Sequence, residues 1–378
     1  MHTFTHPPRL LFLDWLRILA FFILVLYHVG MYYVSWDWHV KSEVIVPGLD
    51  AFMLLSAPWR LGLLFLVAGA AGSMALARLG GTAFARRRSL RLLLPLLFGA
   101  LVVVPPQSYF EVVEDVGYDG GYLRFLGLFV SGYGGFCDHD GCLFMPTWNH
   151  LWFLPYLWAY SLVLVAVAAL AARAARPGPQ LRALAGKLAA ALHGWKLLVL
   201  PAACLALALI VLLPRFGETH MFVDDWFNHA TYLFLFLLGA LLARCRGSWP
   251  RLAQLRWHAL GIAATSWSAI VAACGFASRH LERDGPARRY LVAAVFPVYI
   301  VHQTIIVTLA HLFKPFGLGP GVEAPVLVVL TLTLSFAAFE IVRRLALLRP
   351  LFGLRMKRAS LHALPSEPAH PQPCRKPR

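Results

Sequence analysis

Three ionisable side chains interrupt the first long apolar segment of the chain. They are Asp14, Arg17 and His28, within the stretch Leu10 to Val34. An α-helix turns about 100° per residue, so the eleven steps from Arg17 to His28 return nearly to the same face, and Asp14 lies within about 60° of both. The spacing therefore predicts one polar stripe along a helix that is otherwise hydrophobic.

An acid, a guanidinium and an imidazole on one face suit the transfer of an acyl group to a hydroxyl. That reaction requires a base to accept the hydroxyl proton and positive charge to stabilise the oxyanion of the tetrahedral intermediate. We predict His28 as the base, or alternatively as a group that is itself acylated. Arg17 would neutralise developing negative charge or hold donor phosphate, and Asp14, at the i, i+3 spacing of an ion pair, would orient Arg17.

A purely structural explanation of the stripe competes with the catalytic one. Asp14 and Arg17 would then pair near the cytoplasmic membrane boundary, and His28 would reach the opposite headgroups. On an insertion scale Asp and Arg each cost about 2.5–3.5 kcal/mol at a helix centre. Each large apolar residue returns about 0.3–0.6 kcal/mol, so the cost of the two charges nearly cancels the summed gain of all the apolar residues in the helix. Because intramembrane ionisable groups usually line a cavity or pathway, we favour a functional stripe.

The composition of the chain places it in a lipid bilayer. Of 378 residues, 59% are hydrophobic and only 14% are charged, which is too little polar surface to cover a soluble globule. Apolar segments long enough to cross a hydrocarbon core recur, and they predict an all-α, polytopic bundle of about 8–10 transmembrane helices within residues 1–352. The candidate spans are Leu10–Val34, Leu49–Leu76, Leu92–Pro106, Leu151–Ala172, Leu197–Leu213, Ala230–Ala243, Ala259–Ala277, Tyr290–Leu312 and Val326–Val342.

The formal net charge of +16 indicates membrane topology rather than nucleic-acid binding. Lys and Arg are grouped in short connections between apolar runs, and positively charged loops stay in the cytoplasm. The alternate connections, 107–148 and 214–229, are acidic and are predicted to face outward, which places the amino terminus in the cytoplasm. Residues 353–378 predict a disordered, basic cytoplasmic tail. The basic groups are Arg86, Arg87, Arg88 and Arg91; Arg173, Arg176, Arg182 and Lys187; and Arg244, Arg246, Arg251 and Arg256.

One segment conflicts with this topology. If Ala259–Ala277 crosses the membrane once, the basic residues that follow it lie outside. Either this segment enters and leaves on the same side, or the first helix is inverted, or a helix is missing. Its 19 residues are too few for two full crossings. The basic residues concerned are Arg279, Arg283, Arg288 and Arg289.

The cysteines argue against a metal site, and the lack of internal repeats argues against a transporter. Six cysteines lack the spacing of a metal site, and only Cys137 and Cys142 share a polar segment where a disulfide is conceivable. The inverted repeat common among secondary transporters is absent, which disfavours a transporter. We therefore expect no metal site and no tightly bound cofactor.

Arg17, ten intervening residues and His28 resemble the R-x10-H signature in the first helix of acyltransferase family 3 membrane proteins. Arg88 and Arg91 reproduce the Arg-x-x-Arg that follows the second helix in many members. Four segments look like the branch that modifies periplasmic glucans, namely LDWLRILAFFILVLYH, WRLGLLFLVAG, HLWFLPYLWAYSL and YIVHQTIIV. The combination, in consistent order from about residue 10 to about residue 345, is specific.

The resemblance implies an enzyme of the bacterial inner membrane that moves an acyl group across it. Relatives use a cytoplasmic donor, commonly acyl-CoA, to acylate a hydroxyl of an extracytoplasmic glycan, and the glucan branch is associated with succinyl groups. The expected partners are therefore the lipid bilayer, acyl-CoA and a glycan, with no nucleic acid. The chain departs from its relatives after Arg256, where they hold two spans and it offers residues for one.

Arginines beside the third span are candidates for binding the donor. Arg88 and Arg91 match the family spacing, and clustered guanidiniums suit the phosphates of coenzyme A. Arg86 and Arg87 fit ordinary positive-inside topology equally well.

Three further residues are candidates for binding the substrate. His150 and Trp152 open a span on the outward side, where a sugar ring can stack on the tryptophan, although an interfacial aromatic belt explains Trp152 equally well. His302, within the eighth apolar segment, either faces the same cavity or hydrogen-bonds to a neighbouring helix.

Two other functions stay open. An exporter of an acyl group or glycan precursor would use Arg17 and His28 to bind a moving anion without forming a bond. A noncatalytic scaffold would need neither side chain. Ester formation by the purified chain separates the enzyme from both.

Overall fold

Helices make up most of the described chain. The computed structural model describes residues 10–138, 141–173, 194–245, 247–262 and 265–356, and within these ranges no β-strand is present. The predicted all-α class is therefore confirmed. The α-helices are α1 Leu11–Met31, α2 Leu49–Leu54, α3 Ala57–Leu79, α4 Gly81–Phe98, α5 Pro105–Asp115, α6 Tyr122–Ser131, α7 Phe153–Arg173, α8 Lys196–Val211, α9 Leu213–Phe216, α10 Trp226–Arg244, α11 Ser248–Gly261, α12 Ser266–His280, α13 Pro286–Phe313, α14 Pro320–Arg344 and α15 Leu348–Leu351.

Eight helical segments among the described residues are long and apolar enough to cross a membrane. They confirm a polytopic transmembrane bundle and agree with most of the predicted spans, usually with longer bounds. The eight segments are Leu11–Met31, Leu49–Leu79, Gly81–Asp115, Asn149–Arg173, Lys196–Phe216, Trp226–Arg244, Pro286–Phe316 and Pro320–Arg344.

The third span is longer than its predicted range of Leu92–Pro106, because the helix begins directly after Gly80. The basic group at positions 86–91 therefore lies within this helix rather than in a loop. A π-helical turn, Gly99–Val103, precedes Pro105, which has no backbone N–H to donate. Thr304 of α13 donates a hydrogen bond from its hydroxyl to the backbone oxygen of Val103 at 2.6 Å.

The predicted span Ala259–Ala277 is wrong, because one helix ends and a second helix, packed beside the first, begins within this range. The two short helices α11 and α12 occupy this region, and Thr265 caps the second one by accepting a hydrogen bond from the Ser268 backbone N–H. At 1.5 Å per residue they are about 21 and 23 Å long, too short for a full crossing. They pack side by side, with Gly275 against the backbone of Leu252. The segment is an antiparallel hairpin whose two ends lie on one side.

The contacts of α1 with α13 support the same-side return of this hairpin. Asp14 forms an ion pair with Arg288, and His28 contacts His302, and each pair is separated by 274 residues. Equal separations mean that α1 and α13 run parallel and begin on the same side of the membrane. Six of the described spans precede α13, so a further crossing by the hairpin would reverse its direction. The basic residues that follow the hairpin thus lie on the side where α1 begins.

Two glycines allow α3 and α10 to pack with their backbones in close contact. A Cβ atom added to Gly69 would lie 1.8 Å from the backbone oxygen of Phe236, and one added to Gly239 would lie 2.0 Å from that of Leu66. Small residues of this kind drive helix association in membranes, where lipid tails remove the hydrophobic driving force. The α3–α10 pair is therefore a tightly packed part of the bundle.

Some sequence predictions concern residues outside the described ranges. Among them are Arg176, Arg182, Lys187 and Arg246, and positions 357–378 of the predicted tail. The conceivable disulfide between Cys137 and Cys142 is present, in the acidic connection between α6 and α7.

We expect Gly69→Ala to destabilise the bundle, because the added methyl group has no space against the α10 backbone. Overpacking of this kind typically costs about 1–3 kcal/mol. Gly72→Ala on the same helix is the matched control, since its Cβ would meet its nearest neighbour at 3.6 Å, an ordinary contact distance. Thermal stability of both variants in detergent, followed by size-exclusion chromatography, measures the effect. Equal stability of the two variants would contradict the packing assignment.

Candidate active site

The polar stripe of α1 opens onto a cavity inside the bundle. The cavity has a volume of about 1060 Å³, and Arg17 and His28 both contribute to its lining. Eleven residues of α-helix rise about 16 Å, so the cavity extends through roughly half of the hydrocarbon thickness. The two side chains face one shared space, while their catalytic roles stay predictions.

His28 is held by His302 from the side away from the cavity. His28 Nδ1 lies 2.8 Å from His302 Nε2, and His302 Nδ1 lies 2.7 Å from the backbone oxygen of Tyr299. His302 is fully buried and does not contribute to the cavity lining. The structure thus places His302 against the candidate base rather than on the surface that a substrate would touch. Its predicted binding of substrate stays a prediction.

Asp14 has a closer partner than Arg17. Its carboxylate contacts the guanidinium of Arg288, which is only 2% exposed, whereas the distance from Asp14 to Arg17 Nη2 is 3.9 Å. Arg17 Nη2 also donates to the backbone oxygen of Val292 at 3.3 Å. The sequence could not reveal Arg288 as the partner, because it lies 274 residues away. Asp14 therefore joins α1 to α13 as well as contacting Arg17.

Arginines also line the end of the cavity nearest the start of α1. Arg88 and Arg91 contribute to the lining together with Arg17, whereas Arg86 and Arg87 do not. Arg88 is partly buried, and Arg86, Arg87 and Arg91 are exposed. Arg88 Nε donates to the hydroxyl of Ser161 on α7 at 3.2 Å, which fixes the guanidinium at the wall. Binding of the donor by Arg88 and Arg91 stays a prediction.

Aromatic side chains line the opposite, outward end. The rings of Trp152 and His220 are 4.2 Å apart between centroids, and Trp148 Nε1 donates to the backbone oxygen of His220 at 3.2 Å. The loop that carries His220 is folded around the buried carboxylate of Asp225, which accepts hydrogen bonds from the Thr219 and His220 backbones. Burial lowers the pKa of His220, so its ring is neutral at pH 7.

Both ring nitrogens of His150 have partners within the bundle. Nε2 lies 3.1 Å from the backbone oxygen of Ile300, and Nδ1 lies 3.4 Å from the amide nitrogen of Gln107. The residue contributes to the cavity lining, but its polar atoms serve contacts between helices. Binding of substrate by His150 and Trp152 stays a prediction.

Arg60 is a cavity residue for which the sequence predicted no role. It lies near the start of α3, is 5% exposed, and its guanidinium carbon sits 3.3 Å from the centroid of the Tyr27 ring. Its Nε and Nη1 atoms have no hydrogen-bond partner within the described part of the chain. The signal was present, since Arg60 is a charge in an apolar run, within the segment WRLGLLFLVAG. A buried guanidinium that lines a cavity is a candidate site for an anion.

Metal binding finds no support in the described ranges, where no group of three or more His, Cys, Asp or Glu side chains could hold an ion. The site consists instead of one imidazole pair, four cavity-lining arginines and an aromatic outer end. The arginines are Arg17, Arg60, Arg88 and Arg91.

Comparison with known proteins agrees with this chemistry. The model of the acyltransferase domain of acyltransferase family 3 matches residues 10–287, a region that contains every candidate site residue except His302. No curated protein and no solved structure matches the chain. Because the matched region covers well over half of the sequence, the chain belongs to acyltransferase family 3 and is a multi-pass membrane acyltransferase.

Proposed function

We propose that the protein transfers an acyl group from a cytoplasmic donor such as acyl-CoA to a hydroxyl of an extracytoplasmic glycan. The observation that carries this proposal is the single cavity lined by Arg17, Arg88 and Arg91 at one end and by Trp152 at the other, with His28 between them. A donor and an acceptor that reside on opposite sides of the bilayer react only in a space that both can reach. Polar surface at membrane depth is tolerated where it lines such a cavity. The protein would then reside in a bacterial inner membrane.

His28 would act as the general base of the transfer. The acceptor hydroxyl oxygen attacks the thioester carbonyl carbon, and its proton passes to the ring nitrogen of His28 that does not contact His302. The tetrahedral intermediate then expels the coenzyme A thiolate, which takes the proton back from His28. The products are an ester and a free thiol, with no net proton released. An imidazole that rests neutral suits both steps, since it accepts the proton in the first and, as the imidazolium, returns it in the second.

The cytoplasmic arginines would hold the donor. Coenzyme A carries a pyrophosphate and a ribose phosphate, and guanidinium groups bind phosphate through paired, charge-assisted hydrogen bonds. Arg17, Arg88 and Arg91 line one end of the cavity and can share these contacts.

Arg60 supports a donor whose acyl group carries its own carboxylate, such as succinyl. A buried guanidinium with two nitrogens lacking partners in the described chain is costly unless an anion joins it. The free carboxylate of a dicarboxylic acyl group would supply that anion next to Tyr27 and His28. The oxyanion of the tetrahedral intermediate is the other anion that Arg60 would stabilise.

The outward end suits a carbohydrate acceptor. Trp152 and Trp148 flank His220 at the rim, and tryptophan faces stack on sugar rings. A periplasmic glucan, as in the branch that the sequence resembles, fits this end. The rival function, an exporter, would use the same cavity without forming an ester.

Loss of the imidazole at position 28 should abolish transfer. General base catalysis typically contributes 10²–10⁴-fold, so we expect His28→Gln to lower the rate of ester formation by about that factor. The assay uses the purified chain in lipid vesicles with succinyl-CoA and a glucan oligosaccharide, and mass spectrometry detects added mass that mild base removes. His258→Ala, an exposed histidine on α11, is the control. Undiminished transfer by His28→Gln would exclude the base, and coenzyme A that stays acylated in the wild type would favour export.

Donor binding should depend on the two cavity arginines and not on their neighbours. A hydrogen bond to a charged group is worth about 1.5–3 kcal/mol, so Arg88→Ala or Arg91→Ala should raise KM for acyl-CoA about tenfold or more. Arg86→Ala and Arg87→Ala are matched controls on the same helix and should leave KM within about twofold. If all four variants raise KM equally, the arginines act through surface charge alone and the proposed donor site is wrong.

The role of Arg60 is separable by comparing succinyl-CoA with butyryl-CoA, which has the same four-carbon chain without the distal carboxylate. We expect Arg60→Met to lower kcat/KM for succinyl-CoA about 10–100-fold and for butyryl-CoA by less than about threefold. Arg60→Lys, which keeps the charge, should fall between the wild type and Arg60→Met. Equal losses with both donors would assign Arg60 to the oxyanion and remove the support for a succinyl donor.

A further inference from the structure

The contact between His28 and His302 has a geometry that allows one hydrogen bond in the plane of both rings. The ring planes are 12° apart and the centroids are 5.1 Å apart. That separation is close to the largest that a 2.8 Å contact between two imidazole nitrogens allows. The rings therefore meet edge to edge, with nitrogen facing nitrogen, rather than stacking face to face.

Proton positions follow from the partner of His302 on its other side. The backbone oxygen of Tyr299 can only accept, so His302 Nδ1 carries the hydrogen of the 2.7 Å contact. A neutral His302 then has its lone pair on Nε2, and His28 Nδ1 must donate to it. This leaves the lone pair of His28 on Nε2.

The surroundings of His302 favour the neutral ring. The side chain is fully buried, and the rings of Phe21, His150 and Tyr299 pack around it. No carboxylate pairs with His302 in the described part of the chain. Burial without a counter-ion disfavours a charged imidazole. The opposite tautomer of His28 would bring two lone pairs together at 2.8 Å, which is repulsive.

We propose that His302 is a positioning residue that fixes His28 as the tautomer protonated on Nδ1, with a basic Nε2 available to the acceptor hydroxyl. The inference rests on the proposed function of His28 as general base. His302 would do for His28 what a buried carboxylate does for the histidine of a catalytic triad, which is to accept a hydrogen bond from Nδ1–H and so fix the tautomer. The backbone oxygen of Tyr299 fixes the tautomer of His302 in the same way. When His28 takes up the proton, Nδ1–H still donates to His302, so the imidazolium is stabilised without rotation of the ring.

A pair of substitutions at position 302 separates this role from packing. His302→Gln can place an amide oxygen near the former Nε2 and so keep an acceptor for His28, whereas His302→Phe keeps the ring volume and removes the acceptor. We expect His302→Phe to lower kcat about 10²–10³-fold with KM for acyl-CoA within about threefold, because the wrong tautomer disables the base and leaves donor binding intact. His302→Gln should stay within about tenfold of the wild-type kcat. His311→Phe, a partly buried histidine on the same helix that contacts Glu114, is the control.

Solid-state NMR of the full-length chain in lipid, labelled with ¹⁵N-histidine, measures the tautomer without any assay of transfer. Loss of a signal in His28→Gln assigns the resonances of His28. We expect a protonated Nδ1 and a bare Nε2 in the wild type and in His302→Gln, and a mixture in His302→Phe. A wild-type His28 protonated on Nε2, or equal loss of kcat in His302→Gln and His302→Phe, would overturn the proposal. If the wild type forms no ester, the proposed function fails, and the NMR result still decides the role of His302.

Discussion

A bilayer offers no hydrogen-bond partners to a polar group, and this constraint shapes the arrangement of the bundle. Each charged side chain of α1 within the membrane contacts a distant segment or faces the cavity. Asp14 contacts Arg288, and Arg17 reaches both Asp14 and the backbone of Val292. Arg60, which also lines the cavity, has two buried nitrogens that lack hydrogen-bond partners in the described chain. The bundle therefore holds buried positive charge at the place where the proposed reaction creates negative charge.

The tightly packed pair of α3 and α10 forms one wall of the cavity, and side-chain hydrogen bonds hold other spans around it. Gly69 and Gly239 bring α3 against α10, and α3 carries Arg60 near its outward end. The Gln107 side chain, fully buried, donates to Thr304 at 2.6 Å and accepts from Asn149 at 3.3 Å. These contacts hold the third and seventh spans against the start of the fourth. Tight packing and satisfied polar groups thus surround a space that stays open.

Local spacing predicted the fold well and the site in part. Helical periodicity placed Arg17 and His28 on one face from the sequence alone, and hydropathy located most spans. Hydropathy could not resolve the hairpin, because the basic part of α11, with Arg251 and Arg256, reads as a connection between spans. Only the end of α11 falls in the apolar segment that also contains most of α12. The sequence could not show that Arg288 and His302 contact the stripe, because each lies 274 positions from its partner and local spacing says nothing about such distant pairs. The charge conflict after the hairpin was the one sequence signal of a same-side return.

The parallel helices α1 and α13 make two contacts at the same register, so a slide of one helix along the other would affect both contacts. A slide of either helix along the other by one turn, about 5.4 Å, would break the pair formed by Asp14 and Arg288 and separate His28 from His302 at the same moment. Each loss would leave a buried residue, Arg288 or His302, without that contact. A motion that opens the cavity while keeping both contacts would move α1 and α13 as one body.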